Sequence, residues 1–174
     1  MERYLRALPL ISILFSGCYF DIFSSNQSQP TRDTTQHISG FSYNNYDKQQ
    51  VNDWSINGKE STINKDRSLN LIKPHLHIKK HQNPIYITGE KGGWNPQTEE
   101  IKIYDNVIAK SNKMGIFTTN SLIYSSPSKD FKTNDNVHFK HKNISIDGKA
   151  LEGNTKTESI KILTNVKVVI KIKR

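Results

Sequence analysis

The chain of 174 residues contains 25 Lys and Arg against 16 Asp and Glu, which gives a formal net charge of +9 at pH 7. Its single cysteine excludes a disulfide framework within the chain and leaves no thiol pair for a zinc site. Only 34% of the residues are hydrophobic, so we expect one modest core rather than a thick multilayer domain.

The N-terminus has the pattern of a secretory signal. Arg3 and Arg6 precede the largely apolar run 7–15, and Ser16 and Gly17 follow it. The run is shorter than the ~20 apolar residues that cross a bilayer. A short transmembrane anchor is therefore the second interpretation.

Cys18 is placed like the acylated cysteine of a bacterial lipobox, because two small residues precede it. Phe15 stands where a lipobox usually has Leu, and a free structural cysteine is the alternative. We predict lipidation at Cys18, with residues 1–17 as a lipoprotein-type signal peptide or short membrane anchor. Residues 18–36 are then a polar tether or a tail without a spacing role, and residues 37–174 form the folded domain.

The domain has an all-β pattern of about eight to ten strands. No window of a dozen residues has apolar positions at helical spacing, whereas short runs of Ile, Val, Phe, Tyr and Thr recur. We expect breaks between strands at Asn57-Gly58, Gly92-Gly93, Pro127, Asp147-Gly148 and Gly153-Asn154. The predicted strands are 53–56, 69–78, 85–88, 101–109, 116–124, 136–140, 144–146 and 160–172.

Residues 92–109 contain a unit that returns near the end of the chain. We interpret the segment as a turn, a strand, a break at Asp105-Asn106 and a resumed apolar run. Ile101-Lys102-Ile103 with Asn106-Val107 is echoed by Ile160-Lys161-Ile162 with Asn165-Val166, and 56–59 is echoed by 146–149. Repeated strand units are typical of stacked β architectures, and chance similarity is the alternative.

The last predicted strand has one aliphatic face and one face that is mostly lysine. We expect the aliphatic face, which contains Val166, Val168, Ile170 and Ile172, to be buried. The open edge is either blunted by lysines or accepts a strand from a partner. The candidate partner-edge residues are Lys167, Val169, Lys171 and Lys173.

Seven short motifs follow one another along the chain. They are WSINGK (54–59), LNLIKPHL (69–76), ITGEKG (87–92), IKI with NV (101–107), TTNSLIY (118–124), NV (136–137) and GKAL (148–151). In this order they resemble the LptC family of lipopolysaccharide export proteins, over about three quarters of the chain. The bridge protein LptA and the N-terminal domain of the outer-membrane translocon share the same repeats.

The resemblance implies an open, twisted β-jellyroll of antiparallel strands whose apolar interior carries the acyl chains of lipopolysaccharide. It also implies attachment to the periplasmic side of the inner membrane, docking on the permease subunits of an ABC transporter, and transfer to an LptA-type bridge through the C-terminal edge. The family usually has a transmembrane helix, where we favour a lipid anchor. The candidate groove residues, for which ordinary core packing is the alternative, are Ile101, Ile103, Val107, Phe117, Val137, Phe139, Ile144, Ile146, Val166, Val168 and Ile170.

Two other functions stay open from the sequence. One is an LptA-like periplasmic bridge, and the other is an envelope lipoprotein that binds polysaccharide through exposed aromatics, for which the candidates are Trp54, Trp94 and the tyrosines. Basic residues are available to meet phosphorylated lipid heads, although a solvated surface explains them equally. These residues are Lys79, Lys80, Lys140, Lys142, Lys171, Lys173 and Arg174.

Catalysis, cofactors, metals and nucleic acid are not predicted. His75, His77 and His81 have strand spacing, but no cysteine or well-placed carboxylate accompanies them. No Ser/His/Asp arrangement or glycine-rich phosphate loop is present, and Glu99 and Glu100 point to opposite faces of a strand. A secretory N-terminus argues against nucleic acid as a partner.

Overall fold

A computed structural model describes residues 36–47, 51–79 and 83–172. They belong to one compact unit that spans Asp33–Arg174. Outside the described residues lie the predicted signal peptide, Cys18, and all but the last residue of the predicted tether. Lys80, His81, Lys173 and Arg174 also lie outside them.

The described residues form 11 strands in one antiparallel sheet and contain no helix. The prediction of an all-β, jellyroll-like fold is confirmed. The strands are β1 (Gln36–Tyr46), β2 (Asn52–Ile63), β3 (Leu69–Ile72), β4 (His75–Ile78), β5 (Ile85–Thr88), β6 (Lys91–Asn95), β7 (Glu100–Ser111), β8 (Gly115–Ser125), β9 (Asp130–His141), β10 (Ile144–Asn154) and β11 (Ser159–Ile170).

The sheet closes at one end and stays open at the other. The first half of β2 pairs with β4 and its second half with β3, while β7 pairs with β6 and then with β5. Because β4 pairs with β5 and β3 pairs with β6, these six strands form a closed ring. From β7 the sheet continues through β8, β9 and β10 to β11, and β1 pairs with β2.

The long strands fold the sheet into two facing layers. Layer 1 contains β4, β5 and the parts of the long strands in register with them, such as 107–111 of β7 and 115–119 of β8. Layer 2 contains β3, β6 and the remaining parts, such as 100–104 of β7 and 121–125 of β8. Phe117 of layer 1 stacks on Phe131 of layer 2 with ring centroids 6.0 Å apart. In a flat sheet these rings would be roughly 25 Å apart, because Phe117 is the register partner of Phe139, eight residues from Phe131, and a strand rises about 3.3 Å per residue. The interior therefore lies between the two layers.

Left-handed residues mark the bends. Asp105 and Asn106 have φ values of 60° and 55°, Ala150 has 59° and Asn165 has 53°. Strand register shifts at each of these points. The break expected at Asp105-Asn106 is a bulge inside β7, so the predicted strand 101–109 is one strand that bends at these two residues.

Other strand boundaries also differ from the prediction. The predicted strand 69–78 is two strands, because Lys73 is left-handed (φ 50°) and donates its N–H to the Glu90 carbonyl, while Pro74 has no N–H to donate. Gly92-Gly93 is not a turn but part of β6. A Cβ at Gly92 would lie 2.9 Å from the carbonyl oxygen of Lys102, so the close approach of β7 requires glycine there. Asn57-Gly58 and Asp147-Gly148 likewise lie inside β2 and β10.

The core holds one strongly perturbed phenol, that of Tyr124. Burial raises the pKa of Tyr124, whose residue is only 1% exposed, and the negative charge of Asp53 adds to the shift. Asp53 itself forms an ion pair with Lys129, and the indole N–H of Trp54 donates to Ser126 Oγ at 2.8 Å. The turn 126–129 is thereby held against the start of β2.

We expect the free energy of unfolding to fall as the pH rises above about 10. The unfolded state loses the Tyr124 proton near the ordinary pKa of 10.0, whereas the folded state keeps it, so proton loss favours unfolding. Tyr124→Phe should flatten this fall, whereas Tyr46→Phe at an exposed position should not. Denaturant titrations between about pH 8 and 11 measure it, and identical pH profiles for wild type and Tyr124→Phe would contradict the assignment.

Candidate functional site

The interior is built from one face of each long strand. Apolar residues alternate with polar ones along β7, so that Ile101, Ile103 and Val107 are buried while Tyr104 is exposed. Of the predicted groove residues, Ile101, Ile103, Val107, Phe117 and Val137 are buried in the core. Phe139, Ile144 and Ile146 are partly buried, and Val166, Val168 and Ile170 are exposed.

A single cross-strand row connects the core to the open edge. Ala109, Phe117, Phe139, Ile146 and Val168 are register partners on five successive strands from β7 to β11. Exposure rises along this row, from 2% at Ala109 and 6% at Phe117 to 53% at Val168. The inner apolar face thus continues beyond the part of the interior that is closed.

The end of this face forms an exposed apolar area, which we call the terminal patch. It consists of two cross-strand pairs, Ile144 with Ile170 and Ile146 with Val168. The prediction that the aliphatic face of the last strand is buried is wrong, since Val166 and Ile170 are each more than half exposed and Ile172 is 85% exposed. The alternation is real, but no described residue of layer 2 covers this part of layer 1.

The opposite end of the interior is filled by aromatic rings. Tyr43 of β1 lies 4.2 Å from Trp94 and 5.5 Å from Trp54 between ring centroids, and Phe41 lies 6.2 Å from Trp94. Both tryptophans are buried. Trp54 and Trp94 are therefore not available as an exposed platform for stacking sugar rings, whereas Tyr46 and Tyr86 are exposed. The buried aromatic side chains also seal the ring of six strands.

A seam runs between the free ends of the two layers. Lys113, in the turn between β7 and β8, forms an ion pair with Glu158 in the turn between β10 and β11, with Nζ and Oε2 2.7 Å apart. Asn83 Nδ2 lies 3.5 Å from the other oxygen of Glu158. Because Lys113 ends layer 1 and Glu158 ends layer 2, these contacts join the layers where no strand crosses. We call them the latch.

Beneath the latch the interior is almost full. Met114, Phe117, Phe139 and Ile160 surround a void of about 10 Å³, which is near the minimum for one water molecule. The closed protein therefore has no room here for a hydrocarbon chain. Sequence reasoning did not find the latch, because turn residues from distant parts of the chain carry no periodic signal.

The C-terminal strand is an edge of the sheet. β11 pairs with β10, and no described strand pairs with its other side. Of the predicted partner-edge residues, Lys167, Val169 and Lys171 are exposed, with Val169 at 41%. Both faces of β11 from Val166 to Ile170 are thus accessible, and so are the backbone N–H and C=O groups on the edge that faces away from β10.

The two histidines of β4 lie at the surface, and one of them stacks on a tyrosine. His77 lies on Tyr86 with ring centroids 4.5 Å apart, and partial burial together with the charge of Lys79 lowers the pKa of His77. His75, two residues earlier on the same face, is exposed. Among the described residues, no group of three His, Cys, Asp or Glu side chains is placed to hold a metal ion.

A family model described as "Lipopolysaccharide-assembly, LptC-related" matches residues 6–171, nearly the whole chain. The chain belongs to the LptC family. No curated protein matches it. As a member of the LptC family it is a component of lipopolysaccharide transport in the periplasmic and inner-membrane part of the envelope, and the family is a transport family rather than a known enzyme family. Within residues 36–47, 51–79 and 83–172, no helix is long and apolar enough to span a bilayer.

The same substitution at two isoleucines separates the closed core from the terminal patch. Ile103→Ala should lower the free energy of unfolding by about 2–5 kcal/mol, because it leaves a cavity in the core. Ile170→Ala should change it by less than about 0.5 kcal/mol, because Ile170 is exposed. Urea titrations measure both values. Equal losses would contradict the uncovered patch.

Proposed function

We propose that this LptC-family protein is a membrane-anchored carrier on the periplasmic side of the inner membrane. It accepts lipopolysaccharide from the inner-membrane ABC transporter and passes it to an LptA-type bridge protein. Cys18 carries the lipid anchor in this proposal, in place of the family's usual transmembrane helix. The observation that carries the proposal is the apolar row that runs from the closed core to the exposed terminal patch.

The terminal patch suits the acyl chains of lipopolysaccharide. Burying apolar area contributes roughly 25 cal/mol per Å², so exposed aliphatic pairs such as Ile146 with Val168 favour contact with hydrocarbon. Contiguous exposed apolar patches mark sites of interaction with a protein, a lipid or another ligand. The first contact of the acyl chains is therefore with the patch, and deeper entry follows the row toward Phe117.

Deeper entry requires the two layers to separate at the seam. The void beneath the latch is too small for an acyl chain, whereas the Lys113–Glu158 ion pair of the latch lies at the surface and is worth about 0–1 kcal/mol. The bends in the long strands keep the layers joined on the opposite side. The protein therefore opens like a hinged cleft, and acyl chains replace contacts such as that of Met114 with the core.

Basic side chains lie at the same end as the terminal patch. Lys140 ends the outer face of β9, Lys142 lies in the turn to β10, and Lys171 follows β11. All three are exposed. Phosphates on the lipid head, held just outside the patch, meet this positive charge while the acyl chains lie inside.

The free edge of β11 is the exit toward the bridge protein. A strand of an LptA-type partner that pairs with this edge continues the same sheet, so the apolar face continues from one protein into the next. Lipopolysaccharide then moves along one surface without entering water. The permease subunits dock at the other end of the domain, and the energy comes from a separate ATPase.

A photoreactive amino acid on β9 tests the cargo and its place. At Phe139, which faces the interior, we expect an adduct with lipopolysaccharide in cells, whereas at Lys132, an exposed residue at the other end of the same strand, we expect none. Immunoblots of the purified protein with an antibody to lipopolysaccharide measure this. Absence of the adduct at Phe139 in a folded protein, or an adduct only at Lys132, would contradict acyl-chain binding inside.

The same method tests the exit. At Val169, on the edge strand, the photoreactive residue should join an LptA-type partner. At Lys110 it should not, because β7 is paired on both sides at that position. Equal adducts at both positions would mean that the partner does not use the C-terminal edge.

A further inference from the structure

The repeated unit of the sequence has a third copy. Phe131-Lys132-Thr133 with Asn136-Val137 has the spacing of Ile101-Lys102-Ile103 with Asn106-Val107 and of the copy that ends at Asn165-Val166. The three copies lie on β7, β9 and β11, which run in the same direction with one antiparallel strand between each pair. Asn106, Asn136 and Asn165 therefore occupy equivalent places in the sheet.

These three asparagines line one groove of about 650 Å³ that crosses the strands. Ile108, Thr118, His138 and Asp147 form a cross-strand row along it. Their chain neighbours Val107, Thr119 and Val137 are buried, so the side chains of the row point outward. The groove thus lies on the outer face of the sheet, separate from the apolar interior.

The carboxamides in the groove are available to a ligand. Asn106, Asn136 and Asn165 are exposed, and none of their side chains hydrogen-bonds to another described residue. Backbone conformation explains two of them, because Asn106 and Asn165 are left-handed and Asn tolerates that conformation. It does not explain Asn136, whose φ is negative. A function of the Asn136 side chain explains why asparagine is present at this third position.

The spacing indicates an extended ligand. Alternate strands lie roughly 10 Å apart, since neighbouring strands are about 4.8 Å apart. That repeat is close to the length of a disaccharide unit. A carboxamide offers two donors and an acceptor, which is the combination that pairs with sugar hydroxyls. The groove therefore presents the same hydrogen-bonding group at intervals that match alternate rings of a saccharide.

The charge indicates an anionic substituent. Lys149 is exposed in the groove and forms no ion pair with a described residue. Asp147, the carboxylate of the lining, is hydrogen-bonded to His138, with Nδ1 and Oδ1 2.6 Å apart, so Lys149 is the charged side chain of the lining that is left without a partner among the described residues. No Phe, Tyr or Trp lines the groove, so neither nucleobases nor sugar rings can stack on an aromatic side chain there, and a saccharide would be held by hydrogen bonds and charge. The strands beneath pair on both sides up to β10, which argues against an added peptide strand.

We propose that this outer groove binds an extended saccharide that carries a phosphate or carboxylate. Asn106, Asn136 and Asn165 bond its hydroxyls, and Lys149 meets its charge. Two envelope glycans have this chemistry, the oligosaccharide of lipopolysaccharide and the glycan strand of peptidoglycan. Binding in the outer groove does not require acyl chains in the interior, so its test is independent of the test of the proposed carrier function.

The test uses the full-length protein in detergent micelles with ¹⁵N-labelled asparagine. One probe is the phosphorylated oligosaccharide of lipopolysaccharide with its acyl chains removed, and the other is soluble peptidoglycan released by a muramidase. We expect the side-chain amide signals of Asn106, Asn136 and Asn165 to shift on titration with at least one probe. Which probe causes the shift identifies the source.

Matched variants on β9 complete the test. Asn136→Ala should weaken binding roughly three- to tenfold, the effect of one lost hydrogen bond, whereas Asn134→Ala, an exposed asparagine outside the groove, should leave it unchanged. Both positions are exposed, so both variants should fold. No amide shift with either probe, or an equal loss of binding for the two variants, would overturn the proposal.

Discussion

The bend in the middle of the long strands is the constraint on which both surfaces of this protein depend. A strand that serves two layers has to turn without losing its partners, and a left-handed residue at a bulge allows this at Asn106 and Asn165. Because the bends lie along one side, the turns of the two layers meet on the opposite side through side-chain contacts such as the Lys113–Glu158 ion pair. The two layers are therefore joined along the bends, and the outer groove lies beside the bends at Asn106 and Asn165.

The sequence contained enough to predict the all-β fold and the repeat, because period-two alternation and repeated spacing are local signals. It did not predict β1, whose residues are mostly exposed and are held by pairing with β2. Nor did it predict that Val168 and Ile170 are uncovered, since alternation shows that a face is apolar but not whether another layer covers it. The third copy was missed because Thr133 replaces an isoleucine. Acylation of Cys18 stays a prediction.

The two ends of the interior suit different tasks. At the ring of six strands, Trp54 and Trp94 pack with Tyr43 and fill the space, which fixes the relative position of the layers. At the other end, the exposure of the side chains increases along the row from Phe117 to Val168. This gradient supports the proposed carrier role, because a fully closed core excludes the cargo and a fully open face does not release it to a partner.

The most direct test of this account is to lock the seam. Lys113→Cys and Glu158→Cys, joined by a short bis-maleimide with a cleavable disulfide, hold the two layers together. Glu100→Cys and Lys102→Cys, joined in the same way, provide the control, because both lie in layer 2 on β7 with their ion pair at 3.0 Å. Binding of fluorescent lipopolysaccharide to the full-length protein should be lost in the locked protein, recover on cleavage, and be normal in the control. Undiminished binding with the seam locked would contradict entry between the layers.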